Sequence, residues 1–277
     1  MGWHLCWLAK TEFEVCYTYL KNPIHIEGCQ GFSLDITDRE RAINLVNSVL
    51  PDIIYHTAYD RANLWESIVE GTSNLIYAFK TARERFKEEK KHILSKFFFL
   101  STDAVFDGGK RNYSEQDIPL PIWDYGKAKA EAERIVLSNG GMVIRTSLVY
   151  GFDPFDPRTR DLFLGLRGQK PVMVYFEDEY RCPIYVLDLC QVLLDLLEID
   201  SPSVLHVAGP KRLSRYEFTV QLAEAMGFDK EKVKKGYQKD SGLIRPKDVS
   251  MSISLAQKIL KTKIRSPEEA LSGGIPL

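Results

Sequence analysis

The segment WDYGKAKAEAE, residues 123–133, contains two residues whose types and spacing suit acid–base chemistry. Tyr125 lies four positions before Lys129, in a stretch rich in alanine and glutamate that predicts a helix. Residues at this spacing share a helix face, so the phenol and the ammonium would lie side by side. An unperturbed phenol has a pKa of about 10, and a nearby positive charge lowers it. The pair could then pass a proton to a bound group, although the same spacing also occurs without any catalytic role.

Two hydroxyl groups lie upstream of this pair, in the segment LSTDAVF at residues 100–106. Ser101 and Thr102 end an apolar run that predicts a strand, just before the chain turns. Ligands of parallel α/β sheets bind at the carboxyl ends of the strands. A hydroxyl at such a strand end, with a tyrosine and a lysine on the next helix, predicts a site that reduces a carbonyl group.

Strand and helix patterns alternate over the first 150 residues, which predicts the elements that would position these side chains. Strands are predicted at 13–20, 31–38, 51–59, 96–106 and 141–151, and helices at 39–50 and 65–86. The second helix carries an apolar stripe of Ile68, Leu75, Ile76 and Phe79. This repetition predicts an α/β fold, a Rossmann-like doubly wound parallel sheet with helices on both faces.

The pattern changes after Gly151, where FDPFDPRTR, residues 152–160, predicts a surface loop or a lobe boundary. Further on we predict a strand at 204–209 that rejoins the sheet, and helices at 184–199, 214–228 and 252–260. Ser214 and Glu217 have capping-box spacing, and Ser252 or Ser254 would cap the last helix.

The predicted domain organisation follows from this change. Residues 1–150, with 184–208 returning to them, would form the Rossmann-like domain, and residues 151–183 and 209–277 a small C-terminal lobe.

Composition excludes several classes of partner. The formal net charge is −1, and the mixed-sign segment at residues 87–92 predicts a solvated helix end, so a nucleic-acid partner is not expected. The sequence has no apolar run of about 18 residues and no signal-peptide pattern, which predicts a cytoplasmic protein without a membrane anchor. His56 and His206 lie in apolar strands and are expected to be core residues, and no metal site is predicted.

The number and spacing of the cysteines are also typical of a cytoplasmic protein. Their number is odd and they have no CxxC spacing, which predicts reduced thiols that are mostly buried. They are Cys6, Cys16, Cys29, Cys182 and Cys190.

Several motifs in a fixed order carry a family resemblance. They are FFFLSTDAVFDG at 97–108, YSEQD at 113–117, YGKAKAEAE at 125–133, VIRTSLVYG at 143–151 and DEYRCPIYVLDL at 178–189. Together they resemble the extended short-chain dehydrogenase/reductase superfamily and, within it, the dTDP-4-dehydrorhamnose reductase family, over nearly the whole chain. The resemblance implies an NAD(P)H-dependent reductase of a 4-keto sugar nucleotide, with the Rossmann-like domain binding the cofactor and the lobe binding the substrate.

The resemblance also implies a role for individual residues. Tyr125 would donate the proton, Lys129 would lower its pKa and hold the nicotinamide ribose, and Thr102 would bind the substrate carbonyl. The implied cofactor-binding residues are Gly2, Asp35, Ile36, Thr57, Ala58, Tyr59, Ser101, Tyr125 and Lys129. The implied substrate-binding residues are Thr102, Asp103, Ala104, Leu148 and Arg181.

Three of these residues have alternative roles on their sequence alone. Asp35 could cap the following helix, Tyr59 could be an ordinary aromatic residue at a strand end, and Arg181 could form a surface salt bridge. Lys21 follows the first predicted strand where an acidic residue would bind a ribose 2′-hydroxyl, so the sequence favours NADP over NAD.

The chain departs from the family pattern in two places. Ala104 and Leu148 stand where the family usually has aromatic residues, which leaves the identity of the sugar open. At the N-terminus, MGWHLCWLAK predicts the helix that would follow a glycine-rich loop, with Gly2 as the last glycine of the motif.

From this we expect that Met1 is an internal start, with a first strand missing and cofactor binding weak or absent. Direct pairing of the 13–20 and 96–101 strands would instead indicate a rearranged sheet.

A different class of function is also open. The regulatory subunit of methionine adenosyltransferase resembles the same family, so the chain could be a non-catalytic binding protein that keeps the reductase fold. The sequence likewise leaves open whether the chain forms a homodimer.

Overall fold

The computed structural model describes residues 1–85, 95–152, 154, 156–200 and 202–272. Its centre is a four-stranded parallel sheet in the order β10-β5-β4-β3. The strands are β3 (Ile53–His56), β4 (Lys96–Thr102), β5 (Met142–Thr146) and β10 (Val204–Val207). The prediction that the 204–209 segment rejoins the sheet is therefore confirmed.

Helices cover both faces of this sheet, as predicted. The α-helices of the described residues are α1 (Gly2–Ala9), α2 (Arg39–Val49), α3 (Gly71–Arg85), α4 (Asp124–Ser138), α5 (Pro157–Leu166), α6 (Val186–Asp195), α7 (Arg215–Ala225), α8 (Ser254–Ile259) and α9 (Pro267–Leu271). Of these, α1, α6 and α8 pack on one face of the sheet, and α2, α3 and α4 on the other, while α5, α7 and α9 belong to a separate C-terminal cluster. Alternate residues of β4 face the two layers: Phe97 and Phe99 pack with α3 and α4, and Phe98 packs with α1 and α6. The period of two along the strand thus builds two separate cores.

Two short strands form a separate parallel pair. They are β1 (Cys16–Tyr19) and β2 (Gln30–Ser33), with Cys16 opposite Gln30. Within the described residues, β1 pairs with β2 and not with β4. The rearranged sheet, in which the 13–20 and 96–101 strands would pair directly, is therefore not found. Side chains of β1 are only partly buried.

The predicted helix over 65–86 begins differently. Its first turn, Glu66–Glu70, is π-helical, and the regular α-helix starts at Gly71. The predicted stripe of Ile68, Leu75, Ile76 and Phe79 is buried, as expected. Phe86 and the segment 87–92 lie outside the described residues.

The C-terminal part has its own apolar cluster, in which Tyr150, Leu162 and Phe218 are buried. The predicted surface loop at 152–160 is wrong for its second half, because α5 begins at Pro157. Asp156 caps this helix by accepting hydrogen bonds from the backbone N–H groups of Arg158 and Thr159. The remaining strands pair locally in this half of the chain: β6 (Val149–Tyr150), β7 (Val174–Phe176), β8 (Tyr180–Arg181), β9 (Ile184–Tyr185), β11 (Leu213–Ser214) and β12 (Lys234–Gly236).

The helix predictions in this half need two corrections. α6 is shorter than predicted, because Ile184 and Tyr185 pair with β6 as a strand. α8 has no side-chain cap, so the prediction that Ser252 or Ser254 caps it is wrong. The Ser214–Glu217 capping box is present. The division into domains at residues 150, 183 and 208 stays a prediction.

The cysteines form no disulfide. Cys182 and Cys190 are buried, but Cys6, Cys16 and Cys29 are partly exposed, so the prediction of mostly buried thiols is wrong. Among the described residues no group of side chains could hold a metal ion, and no helix is long and apolar enough to cross a membrane.

Candidate active site

The start of α4 packs directly on the turn that follows β4. The indole N–H of Trp123 donates a hydrogen bond to the Ala104 carbonyl oxygen, 3.2 Å away. Gly126 allows this approach, since a Cβ on it would lie 2.2 Å from the same oxygen. The packing fixes Tyr125 at the carboxyl end of β4, beside the residues predicted to bind the substrate carbonyl.

Replacing Gly126 by alanine is expected to push α4 away from this turn. The new methyl group meets backbone rather than a mobile side chain, so we expect a loss of stability of about 1–3 kcal/mol in urea unfolding. The control is Gly165→Ala in α5, where the nearest atoms to an added Cβ are 3.5 Å away. Equal stabilities for the two variants would show that the contact at Gly126 is not tight.

Tyr125, Thr102 and Lys129 come together as predicted. The Thr102 hydroxyl lies close enough to the Tyr125 phenol to lower its pKa. It also accepts the backbone N–H of Ala104 at 3.2 Å. The Tyr125 ring lies 5.4 Å from the ring of Tyr59. A phenol, a hydroxyl and a lysine thus meet at the end of one parallel strand.

The expected low pKa of Tyr125 is not found. Burial raises the pKa of its phenol above the usual value, the neighbouring Tyr59 adds to this, and the Thr102 hydroxyl opposes it. The charge of Lys129 is not among the five largest causes. Tyr125 is therefore a protonated group at neutral pH, which suits a proton donor better than a base.

Lys129 is buried and points at the sheet. Its side-chain Nζ donates to the Leu100 carbonyl oxygen at 2.8 Å. It lies 4.4 Å from the centre of the Phe99 ring and 5.5 Å from that of Tyr59. Burial lowers the pKa of the ammonium to about 7, against the opposing effect of Glu133. Lys129 can thus change its charge near neutral pH.

The residues predicted to bind the cofactor are only partly brought together. Gly2 starts α1 next to β3, since a Cβ on it would lie 3.6 Å from the Thr57 hydroxyl oxygen. Thr57, Ala58 and Tyr59 follow β3, and Tyr59 contacts both Tyr125 and Lys129. This places Gly2 and Thr57 together, and Tyr59 beside the catalytic candidates.

Asp35 and Ile36 lie beside α2 and α3. The Asp35 carboxylate accepts the backbone N–H and the hydroxyl of Thr37, at 3.0 and 2.7 Å, and these bonds lower its pKa. Asp38, not Asp35, caps α2, so the alternative role of Asp35 as that cap is wrong. Ile36 is buried against Gly71.

Two predicted binding residues are directed elsewhere. The hydroxyl of Ser101 is buried and donates to Glu133. Arg181 is only 6% exposed, so the surface salt bridge considered for it is wrong. Its Nη2 lies 3.1 Å from Glu179, and its Nε 3.8 Å from Asp103. Two carboxylates therefore already compensate the charge of Arg181, and its contact with a diphosphate stays a prediction.

The other substrate-side residues form the wall next to Thr102. Asp103 is buried and accepts the hydroxyl of Ser147 at 2.6 Å. Burial raises the pKa of this carboxyl group, while Arg181 opposes the shift. Ala104 is buried under Trp123, and Leu148 lines the neighbouring cleft.

Sequence reasoning missed two arginines in that cleft. The cleft is lined by Leu148, Tyr150, Tyr175, Arg158 and Arg215, among others. Burial lowers the pKa of Arg215 to about 10. Arg158 is near enough to Tyr125 for its charge to lower the phenol's pKa in part. Arg158 lies in the segment that was predicted to be a surface loop. Arg215 follows the capping-box residue Ser214, and no feature of the sequence marked it as a site residue.

Known proteins resemble the chain in sequence and in fold. It matches the family model described as RmlD substrate binding domain over residues 2–275. It is 29% identical over 228 residues to methionine adenosyltransferase 2 subunit beta from Xenopus tropicalis, covering 76% of this chain. That alignment spans about two thirds of the relative's own length (67%).

Two solved structures share the architecture. A hypothetical dTDP-4-dehydrorhamnose reductase from Sulfolobus tokodaii superimposes with a TM-score of 0.79 and 29% identity, covering 96% of this chain and 93% of the other. A dTDP-4-dehydrorhamnose reductase from Bacillus anthracis, in complex with NADP, gives a TM-score of 0.76 at 22% identity, covering 98% and 94%. The second likeness shows the fold alone. The family resemblance and the Rossmann-like fold are confirmed.

Proposed function

Because the chain belongs to the RmlD substrate binding domain family, we propose that it is an NAD(P)H-dependent reductase of a 4-keto sugar nucleotide. The observation that carries this proposal is the meeting of Tyr125, Thr102 and Lys129 at the end of β4. A protonated phenol beside a hydroxyl suits a carbonyl oxygen that must receive a proton. The solved structure named as a hypothetical dTDP-4-dehydrorhamnose reductase, 29% identical to this chain, supports the same substrate class.

Part of the predicted cofactor site suits the nicotinamide end of an NAD(P) cofactor. The start of α1 carries no Cβ at Gly2 where it approaches Thr57, and the half-exposed Tyr59 ring lies beside Tyr125. These residues and Lys129 would hold the cofactor, which supplies a hydride when bound. The NADP in the Bacillus anthracis structure and Lys21 after β1 both favour NADP.

Thr102, Tyr125 and Lys129 have different roles in the proton transfer. Thr102 hydrogen-bonds the substrate carbonyl oxygen and holds it next to the Tyr125 phenol. Reduction would develop negative charge on this oxygen, and Tyr125 would give its proton to it to form the hydroxyl. Lys129, when charged, stabilises the phenolate left behind.

Incubation with NADPH and a dTDP-4-keto-6-deoxyhexose tests the proposal. We expect the absorbance of the reduced nicotinamide to fall with time, in proportion to the protein added. Cofactor binding is measured separately by calorimetry with NADPH and with NADH. Binding of NADPH without any oxidation in the presence of the sugar nucleotide would contradict the reductase function.

A second candidate is a non-catalytic subunit. It is favoured by the identity shared with methionine adenosyltransferase 2 subunit beta. If the chain has this function, it should elute together with a methionine adenosyltransferase catalytic subunit in size-exclusion chromatography, and Tyr125→Phe should leave that assembly unchanged. A run of the chain by itself on the same column shows whether it is a homodimer. Separate elution of the two proteins would exclude the second candidate.

A further inference from the structure

A row of buried polar side chains crosses the central sheet beside α4. Ser101 of β4 and His206 of β10 both pair in register with Arg145 of β5. Glu133 reaches this row from α4, one helical turn after Lys129 and two after Tyr125. Glu133 and Arg145 are only 2% and 3% exposed. The proposed reaction uses neither of them, although burying charges in a protein is costly.

Several bonds hold the Glu133 carboxylate in place. The Arg145 Nη2 lies 2.8 Å from one of its oxygens, and the Nε lies 3.1 Å from the other. The Ser101 hydroxyl donates to the same carboxylate. On its other side, the Arg145 Nη1 is 3.4 Å from the His206 Nε2. A two-point pair of this kind fixes orientation as well as charge.

Lys129 has no carboxylate of its own within ion-pair distance in the ranges that the structure describes. Its ammonium donates to a carbonyl and lies over the Phe99 and Tyr59 rings. Glu133 lies four residues further along α4, so it shares a helix face with Lys129. Its negative charge raises the pKa of the Lys129 ammonium. A buried ammonium needs such a charge to stay protonated.

The other titratable groups around Lys129 lie on β3, after β3, on α4 and on β5. Burial lowers the pKa of His56, on β3, to about 3, with a smaller effect of Lys129 itself, so this imidazole is neutral. Tyr125, on α4, has a raised pKa and stays protonated. Tyr59, after β3, offers a phenol ring. Arg145, on β5, is positive and lies beyond Glu133.

We propose that Glu133 is a positioning residue of the active site, whose carboxylate, held by Arg145 and Ser101, keeps the Lys129 ammonium charged next to Tyr125. The effect of Glu133 on catalysis rests on the proposed reductase function, because a charged Lys129 is what stabilises the phenolate. The effect of Glu133 on the pKa of Lys129 needs no turnover and can be measured on the free protein.

Replacing Glu133 by glutamine removes the charge and keeps the shape. A carboxylate favours the protonated form of a nearby lysine, so its removal lowers the lysine's pKa. We expect the midpoint of the Lys129 titration to move down from about 7. The expected shift is roughly one pH unit, a tenfold change in the protonation equilibrium. Turnover should then decline at a correspondingly lower pH.

The titration can be followed by NMR on protein labelled with ¹³C at the lysine Cε, with the Lys129 signal assigned by its loss in Lys129→Met. Arg145→Lys is the matched control, because it disturbs the same buried pair but keeps both charges. The midpoint should move in Glu133→Gln and stay in Arg145→Lys. If Glu133→Gln does not fold, the double substitution with Arg145→Met removes both charges of the Glu133–Arg145 pair, so neither is left buried without the other, and gives the same test.

An unchanged midpoint in a folded Glu133→Gln protein overturns the proposal, whether or not the protein is an active reductase. An equal shift in Arg145→Lys also overturns it, since the effect would then come from packing rather than from charge. A shift confined to the variants that lose the Glu133 charge supports the proposal, even if no sugar nucleotide is ever reduced.

Discussion

Replacing Tyr125 by phenylalanine is expected to lower kcat for sugar-nucleotide reduction by roughly 10²–10⁴-fold, the usual contribution of a positioned general acid. The change removes one hydroxyl group and leaves the ring between Tyr59 and Trp123, whose ring centres lie 5.4 and 5.5 Å away. The fold should therefore be kept. Steady-state kinetics with saturating NADPH measures the effect, with circular dichroism as the test of folding.

Tyr77→Phe is the matched control for this variant. Tyr77 lies on α3, is 44% exposed, and has its ring under Arg39, so the same loss of a hydroxyl should leave kcat unchanged. Activity of the Tyr125 variant equal to that of the unmodified protein would mean that another group donates the proton.

Replacing Arg145 by leucine is expected to destabilise the fold by about 3–5 kcal/mol, because it leaves the Glu133 carboxylate buried without its cation. Both side chains are at most 4% exposed. Urea unfolding followed by circular dichroism gives the free energy of unfolding. The effect would be large against a typical domain stability of roughly 5–15 kcal/mol.

The control for the Arg145→Leu variant is a substitution of Arg134, which lies on α4. Arg134 pairs with Glu131 at 2.5 Å, but its side chain is 70% exposed, so Arg134→Leu should change stability little. Replacing Glu133 by methionine in the Arg145→Leu protein should recover part of the loss, since the Glu133 carboxylate is then no longer buried without Arg145. A loss no larger than that of Arg134→Leu would show that water reaches Glu133.

Local sequence signals predicted the elements that depend on local interactions. The helix around Tyr125, the capping box at Ser214 and the buried stripe of α3 all follow from propensity, capping and periodicity. The start of α5 was missed because Asp156 and Pro157 were interpreted as turn residues, when together they cap and open a helix. The separation of β1 from the sheet depends on strand pairing over long distances, which periodicity does not encode.

The same limit applies to the candidate site. Residue types and spacing predicted that Tyr125, Thr102 and Lys129 meet, because the carboxyl ends of parallel strands share one edge. They did not predict the raised pKa of Tyr125, since burial depends on which rings surround the phenol. They also missed that Ser101 turns to Glu133 and that Arg181 is buried between carboxylates. Those outcomes depend on neighbours far away in the chain.

Transfer of deuterium from NADPH carrying it at C4 of the nicotinamide tests the central claim most directly. Two cofactors are prepared, each with deuterium on one of the two faces of the nicotinamide ring, and each serves as the control for the other. If the chain reduces a 4-keto sugar nucleotide, mass spectrometry should find one deuterium at C4 of the product sugar from one of the two labelled cofactors. A chain that binds both NADPH and the sugar nucleotide, yet gives no labelled product with either cofactor, would contradict the account.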